Sequence, residues 1–175
     1  MCTASIKIGL IIMDNVFRVR TKRKERRTMN MRINIKKLNV LAEVPLRGSN
    51  DSAGYDLYAA TSYIIEVPPH STVKVGTGWA MDIPSGYFGA VFARSGLATK
   101  EGLRPANCVG VIDPDYRGEI MVAVHNDTDT VRFVNPGERI AQIVFMPFIS
   151  AEFVSVGNLE PTVRGSGGFG STGVN

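Results

Sequence analysis

Gly110-Val-Ile-Asp-Pro-Asp-Tyr-Arg-Gly-Glu119 is turn chemistry set between two strand-like apolar runs, 106–112 and 120–125. Its centre, Asp-Pro-Asp-Tyr-Arg-Gly, has the composition of a connection between antiparallel strands, so 113–118 is expected to form the tip of a hairpin. Pro114 and Gly118 read as turn formers, and Arg117 with Glu119 as a surface ion pair worth little. Turn chemistry does not account for Asp113. It directly follows the apolar Val111-Ile112, where partial burial would raise its proton affinity and suit it to general-base work.

Outward from this segment, the chain past Met31 continues as short β-rich runs punctuated by turn residues, with no 3.6-residue apolar period sustained over ten residues. The expected strands are 33–38, 55–59, 63–67, 72–75, 79–83, 88–93, 108–112, 120–124, 131–134, 140–148 and 152–156. Pro68-Pro69, Pro84-Ser85-Gly86, Asn126-Asp127 and Asn135-Pro136-Gly137 supply the turns between them. One short helical turn fits near 97–101. The fold class is therefore all-β, a sandwich or a distorted jelly-roll barrel. The run 140–148 is apolar on both faces, which suggests cover from a second subunit.

At 175 residues one domain is expected. The formal charge of +4 hides an asymmetry, since residues 1–30 carry eight Lys or Arg against two acids and the remainder twelve against fourteen. A slightly acidic body lacks the footprint of a nucleic-acid binder. Cys2 and Cys108 form neither a disulfide framework nor a zinc-ligand pair, so a reducing compartment, the cytosol, fits best. The apolar stretch 6–13 is too short to span a membrane and has no cleavage pattern behind it. The basic run 18–27 reads as a solvated arm, with a targeting or nucleic-acid-binding role as the alternative. The expected organisation is an N-terminal extension (1–30), a β-barrel domain (31–160) and a C-terminal tail (161–175).

That tail holds Arg164-Gly-Ser-Gly-Gly-Phe-Gly-Ser-Thr-Gly173, five glycines with almost nothing that could build a core. Such a segment is either a disordered terminus or a lid that orders on a ligand. Its NH and hydroxyl groups can wrap phosphate oxygens, Arg164 can pair with them, and Phe169 can stack on a ring. It is not a Walker A loop, because no lysine occurs after Lys100, and no βαβ unit surrounds it. Ser95 lacks the GxSxG elbow of an acyl-transfer nucleophile. His70 and His125 read as surface or structural residues, and no His and Cys cluster suggests zinc.

Three further segments stand beside the hairpin and the tail: Ala53-Gly-Tyr-Asp-Leu-Tyr-Ala-Ala60, Arg94-Ser-Gly-Leu-Ala98 and Gly137-Glu-Arg-Ile-Ala-Gln-Ile-Val-Phe145. With all five in this order, the chain from about Met31 to Asn175 resembles the trimeric deoxyuridine triphosphate nucleotidohydrolases, the dUTPases. The resemblance implies a homotrimer with active sites between subunits and the glycine-rich tail of one subunit closing over a site formed by others. It implies hydrolysis of dUTP to dUMP and diphosphate, with water attacking the α-phosphorus and Mg²⁺ bridging the phosphates.

Residue by residue, the resemblance assigns Asp113 as the water-activating carboxylate and Tyr116 as the aromatic that excludes a ribose hydroxyl. Uracil is expected against the backbone around Asn107 and Gly110, Val111 and Ile112, with Met121 nearby. Arg94, Ser95 and Gly96 correspond to phosphate contacts. Asp56 corresponds to a metal-associated carboxylate acting through water, with a turn acid as its plain reading. Gln142 falls near the α-phosphate or is an interface hydrogen bond. In the tail, Arg164, Gly170, Ser171 and Thr172 would hold phosphates while Phe169 stacks on the base. Two rivals stay open on the sequence: a dCTP deaminase on the same barrel, and a regulatory module that keeps the pocket and uses the basic arm.

Overall fold

The computed structural model describes residues 31–168. The chain divides into two units, Met1–Arg32 and Ile33–Asn175, and the second carries the fold. Its strands are β1 (Asn34–Lys37), β2 (Leu46–Arg47), β3 (Tyr55–Tyr58), β4 (Ile65–Val67), β5 (Thr72–Gly76), β6 (Trp79–Asp82), β7 (Tyr87–Phe92), β8 (Leu103–Pro105), β9 (Val109–Ile112), β10 (Met121–Asn126), β11 (Arg132–Val134) and β12 (Arg139–Pro147). All their pairings are antiparallel. The all-β expectation holds, and the one helical element among the described residues is a π-helical turn, Leu97–Glu101, where a short turn was expected.

The strands form a five-stranded sheet in the order β2-β3-β12-β7-β9, a three-stranded sheet β5-β10-β8, and two ribbons, β1-β6 and β11-β4. Alternation drives burial. In β10, Val122, Val124 and Asn126 point inward while Met121, Ala123 and His125 point outward. The inward residues join Leu57, Val67, Val75, Ile83, Leu103, Ile120, Ile140 and Ile143 in one core. Asn126 is fully buried yet satisfied, donating to the carbonyls of Val67 and Thr130 at 2.9 and 2.8 Å and accepting from the Thr128 N–H at 2.9 Å. It ties the end of β10 to β4 and to the turn before β11.

Three expectations are revised. First, 106–112 and 120–125 do not pair as a hairpin. β9 pairs with β7, from Gly89↔Ile112 to Phe92↔Val109, whereas β10 pairs with β5 and β8. The turn composition was read correctly, but the strands it joins belong to different sheets, so 113–118 bridges two sheets instead of capping one ribbon. β8 supplies the missing partner. It is three residues long and ends in Pro105, which conceals it from pattern reading.

Second, no strand forms at 152–156. A strand requires a neighbour: β12 already has β3 and β7 on its two sides, and none of the sheet edges β2, β9, β5 and β8 pairs with this segment. The apolar side chains that suggested the strand stand in solvent on the single chain, Phe153 at 97% and Val154 at 72% exposure. Third, the two-sided burial of 140–148 begins inside the chain. A register shift between Arg139 and Ala141 lets the consecutive Ile140 and Ala141 both reach the core. The far end of the run, with Met146 and Phe148, remains exposed.

Candidate active site

The divergence of β9 and β10 into separate sheets opens a cleft between them. Its volume is about 310 Å³, and it is lined by Lys74, Val111, Ile112, Asp113, Tyr116, Glu119, Met121 and Ala123. The outward side chains of β10 form one wall, and β5 contributes Lys74, which lies directly opposite Ala123 in the ladder. The cleft therefore brings together five of the residues assigned from sequence: Val111, Ile112, Asp113, Tyr116 and Met121. Gly110 is buried behind it opposite Val91, where any side chain would crowd Val91 and Asn107. Asn107 is exposed in the turn between β8 and β9.

Asp113 departs from its expected setting. It is exposed on the single chain instead of half-buried, because β9 is the edge of its sheet and ends one residue earlier. Among the described residues its carboxylate has no hydrogen-bond or ion-pair partner within the chain. The loop that carries it is nevertheless held at several points. Tyr116 donates its hydroxyl to the Glu119 carbonyl at 2.9 Å. Arg117 pairs with Asp82 on β6 at 2.6 Å and donates to the Pro114 carbonyl at 2.6 Å. The expected Arg117–Glu119 pair is absent, since Glu119 accepts the Gly78 N–H at 2.8 Å.

A second cluster is built on the five-stranded sheet. The register sets Asp56 of β3 beside Gln142 of β12, and Gln142 beside Phe92 of β7. Arg94, just past the end of β7, donates its Nε–H to Asp56 Oδ1 at 2.8 Å, and Arg139 reaches Asp56 Oδ2 at 3.3 Å. Both carboxylate oxygens of Asp56 are thus engaged, and its side chain is only 14% exposed. Gln142 donates to the Ala93 carbonyl at 2.9 Å, fixing the strand end from which Arg94 projects. Gly54 makes this possible, because a Cβ there would collide with the Gln142 amide. Ser95 and Gly96 follow in the exposed entrance to the π-helical turn, where Thr99 Oγ1 donates to the Ser95 carbonyl at 2.7 Å.

None of Asp56, Arg94, Ser95 or Gln142 lines the cleft of Asp113. The assigned residues therefore fall into two half-sites on one chain. In the tail, Arg164 is exposed and donates to the Gly167 carbonyl at 2.8 Å, while Phe169, Gly170, Ser171 and Thr172 lie outside the described residues.

A family model described as dUTPase matches residues 41–173, including all five segments. The chain belongs to the dUTPase family. It is 50% identical over 133 residues to a deoxyuridine 5'-triphosphate nucleotidohydrolase of Desulfitobacterium hafniense (strain DSM 10664 / DCB-2), covering 75% of this chain and 88% of that protein. It is 44% identical over 140 residues to a probable deoxyuridine 5'-triphosphate nucleotidohydrolase of Schizosaccharomyces pombe, covering 80% of this chain and 97% of that one. Among solved structures, the Staphylococcus bacteriophage 80alpha dUTPase with dUpNHpp superposes with a TM-score of 0.75 at 29% identity, over 83% of this chain and all of its own.

Reading by sequence missed two features of this dUTPase. Lys74 enters the cleft only because β5 pairs with β10, a contact between segments 49 residues apart that no local pattern marks. Arg139 sits within a recognised segment, but its pairing with Asp56 requires the β3–β12 ladder. Away from both half-sites, Arg104 on β8 holds Asp127 with two hydrogen bonds, at 2.7 and 2.9 Å. That contact lowers the Asp127 carboxyl below its ordinary range and raises the Arg104 guanidinium. No helix among the described residues is long and apolar enough to cross a membrane.

Proposed function

We propose that this chain turns over dUTP in a site assembled from two half-sites on different copies, with Asp113 of one copy facing Arg94 and Ser95 of another. As a member of the dUTPase family it hydrolyses dUTP to dUMP and diphosphate. The observation that carries the reading is the carboxylate of Asp113, exposed in the lining of the cleft and without a partner among the described residues. A carboxylate free of partners can accept a proton from the water that attacks the α-phosphorus, and such positioning is typically worth about 10²–10⁴-fold.

The cleft suits a base and a sugar. Val111, Ile112 and Met121 offer apolar walls, and the backbone around Asn107 and Gly110 offers hydrogen-bonding edges that read uracil. Sites of this kind discriminate strongly, because a wrong base leaves buried polar groups unpaired. Tyr116, whose hydroxyl is held on the Glu119 carbonyl, is the ring we assign to the deoxyribose, where it would exclude a 2′-hydroxyl. On the other half-site the Arg94 guanidinium and the Ser95 hydroxyl meet the phosphates, and Asp56 with Gln142 keeps Arg94 in place. Arg164 and the tail beyond it close over the triphosphate.

Among the described residues no three His, Cys, Asp or Glu gather as a metal cage. The donor set fits Mg²⁺ brought in on the phosphate oxygens, with Asp56 accepting from its waters through lone pairs that the two arginines leave free. Bound there, the ion would neutralise charge developing on the phosphates. The exposed apolar surface of 148–163 supports assembly, since Ile149, Phe153 and Leu159 have no cover on their own chain. A homotrimer is the assembly we infer. Cys108, an exposed free thiol, fits a reducing cytosol.

Diphosphate release from dUTP, UTP, dTTP and dCTP with magnesium, with ammonia assayed in the dCTP sample, tests the reading. Turnover confined largely to dUTP is expected. Ammonia from dCTP, or equal turnover of UTP, would overturn the cleft assignment.

A further inference from the structure

Two carboxylates line the cleft, and they are used in opposite ways. Asp113 faces solvent, whereas the Glu119 side chain spans to the turn between β5 and β6 and accepts the Gly78 N–H at 2.8 Å. The neighbouring residues reinforce this seam. The Thr77 N–H and hydroxyl both donate to the Ile120 carbonyl, at 3.2 and 2.8 Å, and the Ile120 N–H donates to the Trp79 carbonyl at 2.8 Å. On its other side Glu119 receives the Tyr116 hydroxyl on its own carbonyl. The carboxylate has space only because residue 76 is glycine: a Cβ there would collide with Glu119 Oε1. Glu119 is thus, beside the Arg117–Asp82 pair, a point at which the loop bearing Asp113 and Tyr116 is fastened to the barrel.

We propose that Glu119 is a positioning residue for dUTP turnover. Seated over Gly76 on the Gly78 N–H, it fixes the loop end that orients the Tyr116 ring, and so helps set the preference for deoxyribose over ribose. A hydrogen bond to a charged acceptor is stronger than a neutral one, which favours one loop geometry over its neighbours. The inference rests on the assignment of Tyr116 to the sugar.

The test is kcat and KM for dUTP and for UTP, measured on the full chain and its variants. Glu119→Ala is expected to lower the dUTP-over-UTP ratio of kcat/KM about tenfold, the loss of one such bond. Glu119→Gln keeps an acceptor oxygen and should recover most of that ratio. Gly76→Ala leaves Glu119 in the sequence but displaces its carboxylate, and should reproduce the Glu119→Ala ratio. The double variant should be no worse than either single one, because both act through one bond. A Glu119 that only stabilises the fold would lower the melting temperature and leave the ratio at its wild-type value in every variant; that result overturns the proposal. Should Glu119→Ala not fold, an unchanged ratio in Gly76→Ala is decisive against it. Tyr116→Ala separates the two levels of argument. If it leaves the ratio intact, the sugar assignment fails and takes the inference with it; if it collapses the ratio while Gly76→Ala does not, only the inference fails.

Discussion

Asp56 and Asp113 are the same side chain in opposite states. Asp56 lies in the middle of a sheet, nearly enclosed, with one oxygen on Arg94 and the other near Arg139. Asp113 stands past the end of an edge strand, exposed and unpaired among the described residues. A carboxylate bound by two guanidiniums is poorly placed to take a proton from water, but it keeps Arg94 aimed. One without partners is available for that proton but needs its loop held from elsewhere. On the proposed reading, the contrast divides the chemistry: charge and positioning fall to the cluster around Asp56 and Arg94, proton transfer and base selection to the cleft.

The sharpest way to break this contrast is to neutralise each carboxylate in turn. Asp113→Asn should fold, bind nucleotide and lose about 10²–10⁴-fold in kcat, read by diphosphate release. A variant within a few-fold of wild type would remove Asp113 from the mechanism. On the other side, Arg94→Ala should lower kcat/KM about 10–100-fold, the range expected for losing a charge-assisted hydrogen bond to phosphate. Its effect should fall on binding as well as on turnover, which a substrate titration separates.

Two smaller effects sharpen the same picture. Asn126→Ala removes the buried amide that joins β10 to β4 and should destabilise the fold by about 2–4 kcal/mol, measured by denaturant unfolding, with the kcat of the folded fraction retained. The smallest concerns Asp127, whose pKa is lowered by Arg104. A depressed carboxylate stabilises the fold above its unfolded pKa and loses that contribution as pH falls through its folded value. Asp127→Asn should therefore melt slightly below wild type at pH 7, and the difference should start to shrink as pH falls below about 4 and vanish once pH is below the folded value of Asp127. A gap that persists at low pH would point to packing instead of charge.

Much of this was legible in the residues, for identifiable reasons. Alternating β-branched runs and Pro/Gly turns located ten strands, since those signals are local. The turn at 84–86 is an example, closing with the Tyr87 N–H on the Pro84 carbonyl at 3.1 Å. Pairing partners were not legible. The composition of 113–118 announces a turn without saying that its two flanks enter different sheets, and that divergence is what makes the cleft. The run 152–156 has strand composition without a strand, because composition does not say whether an edge strand will take it up, and none of the edges β2, β9, β5 and β8 does. Asp56 and Asp113 could both be singled out as candidate residues from their own segments, but their contrasting environments depend on ladders between distant segments.

The central claim is that the two half-sites meet between copies. Mixing Asp113→Asn with Arg94→Ala chains by joint unfolding and refolding tests it directly. If one copy supplies Asp113 and another Arg94, mixed oligomers contain sites with both residues intact, about one in four by random assortment. Diphosphate release from dUTP should then rise well above that of either parent refolded alone. If both residues act from a single chain, every site in the mixture lacks one of them, activity stays at the level of the parents, and the account is contradicted.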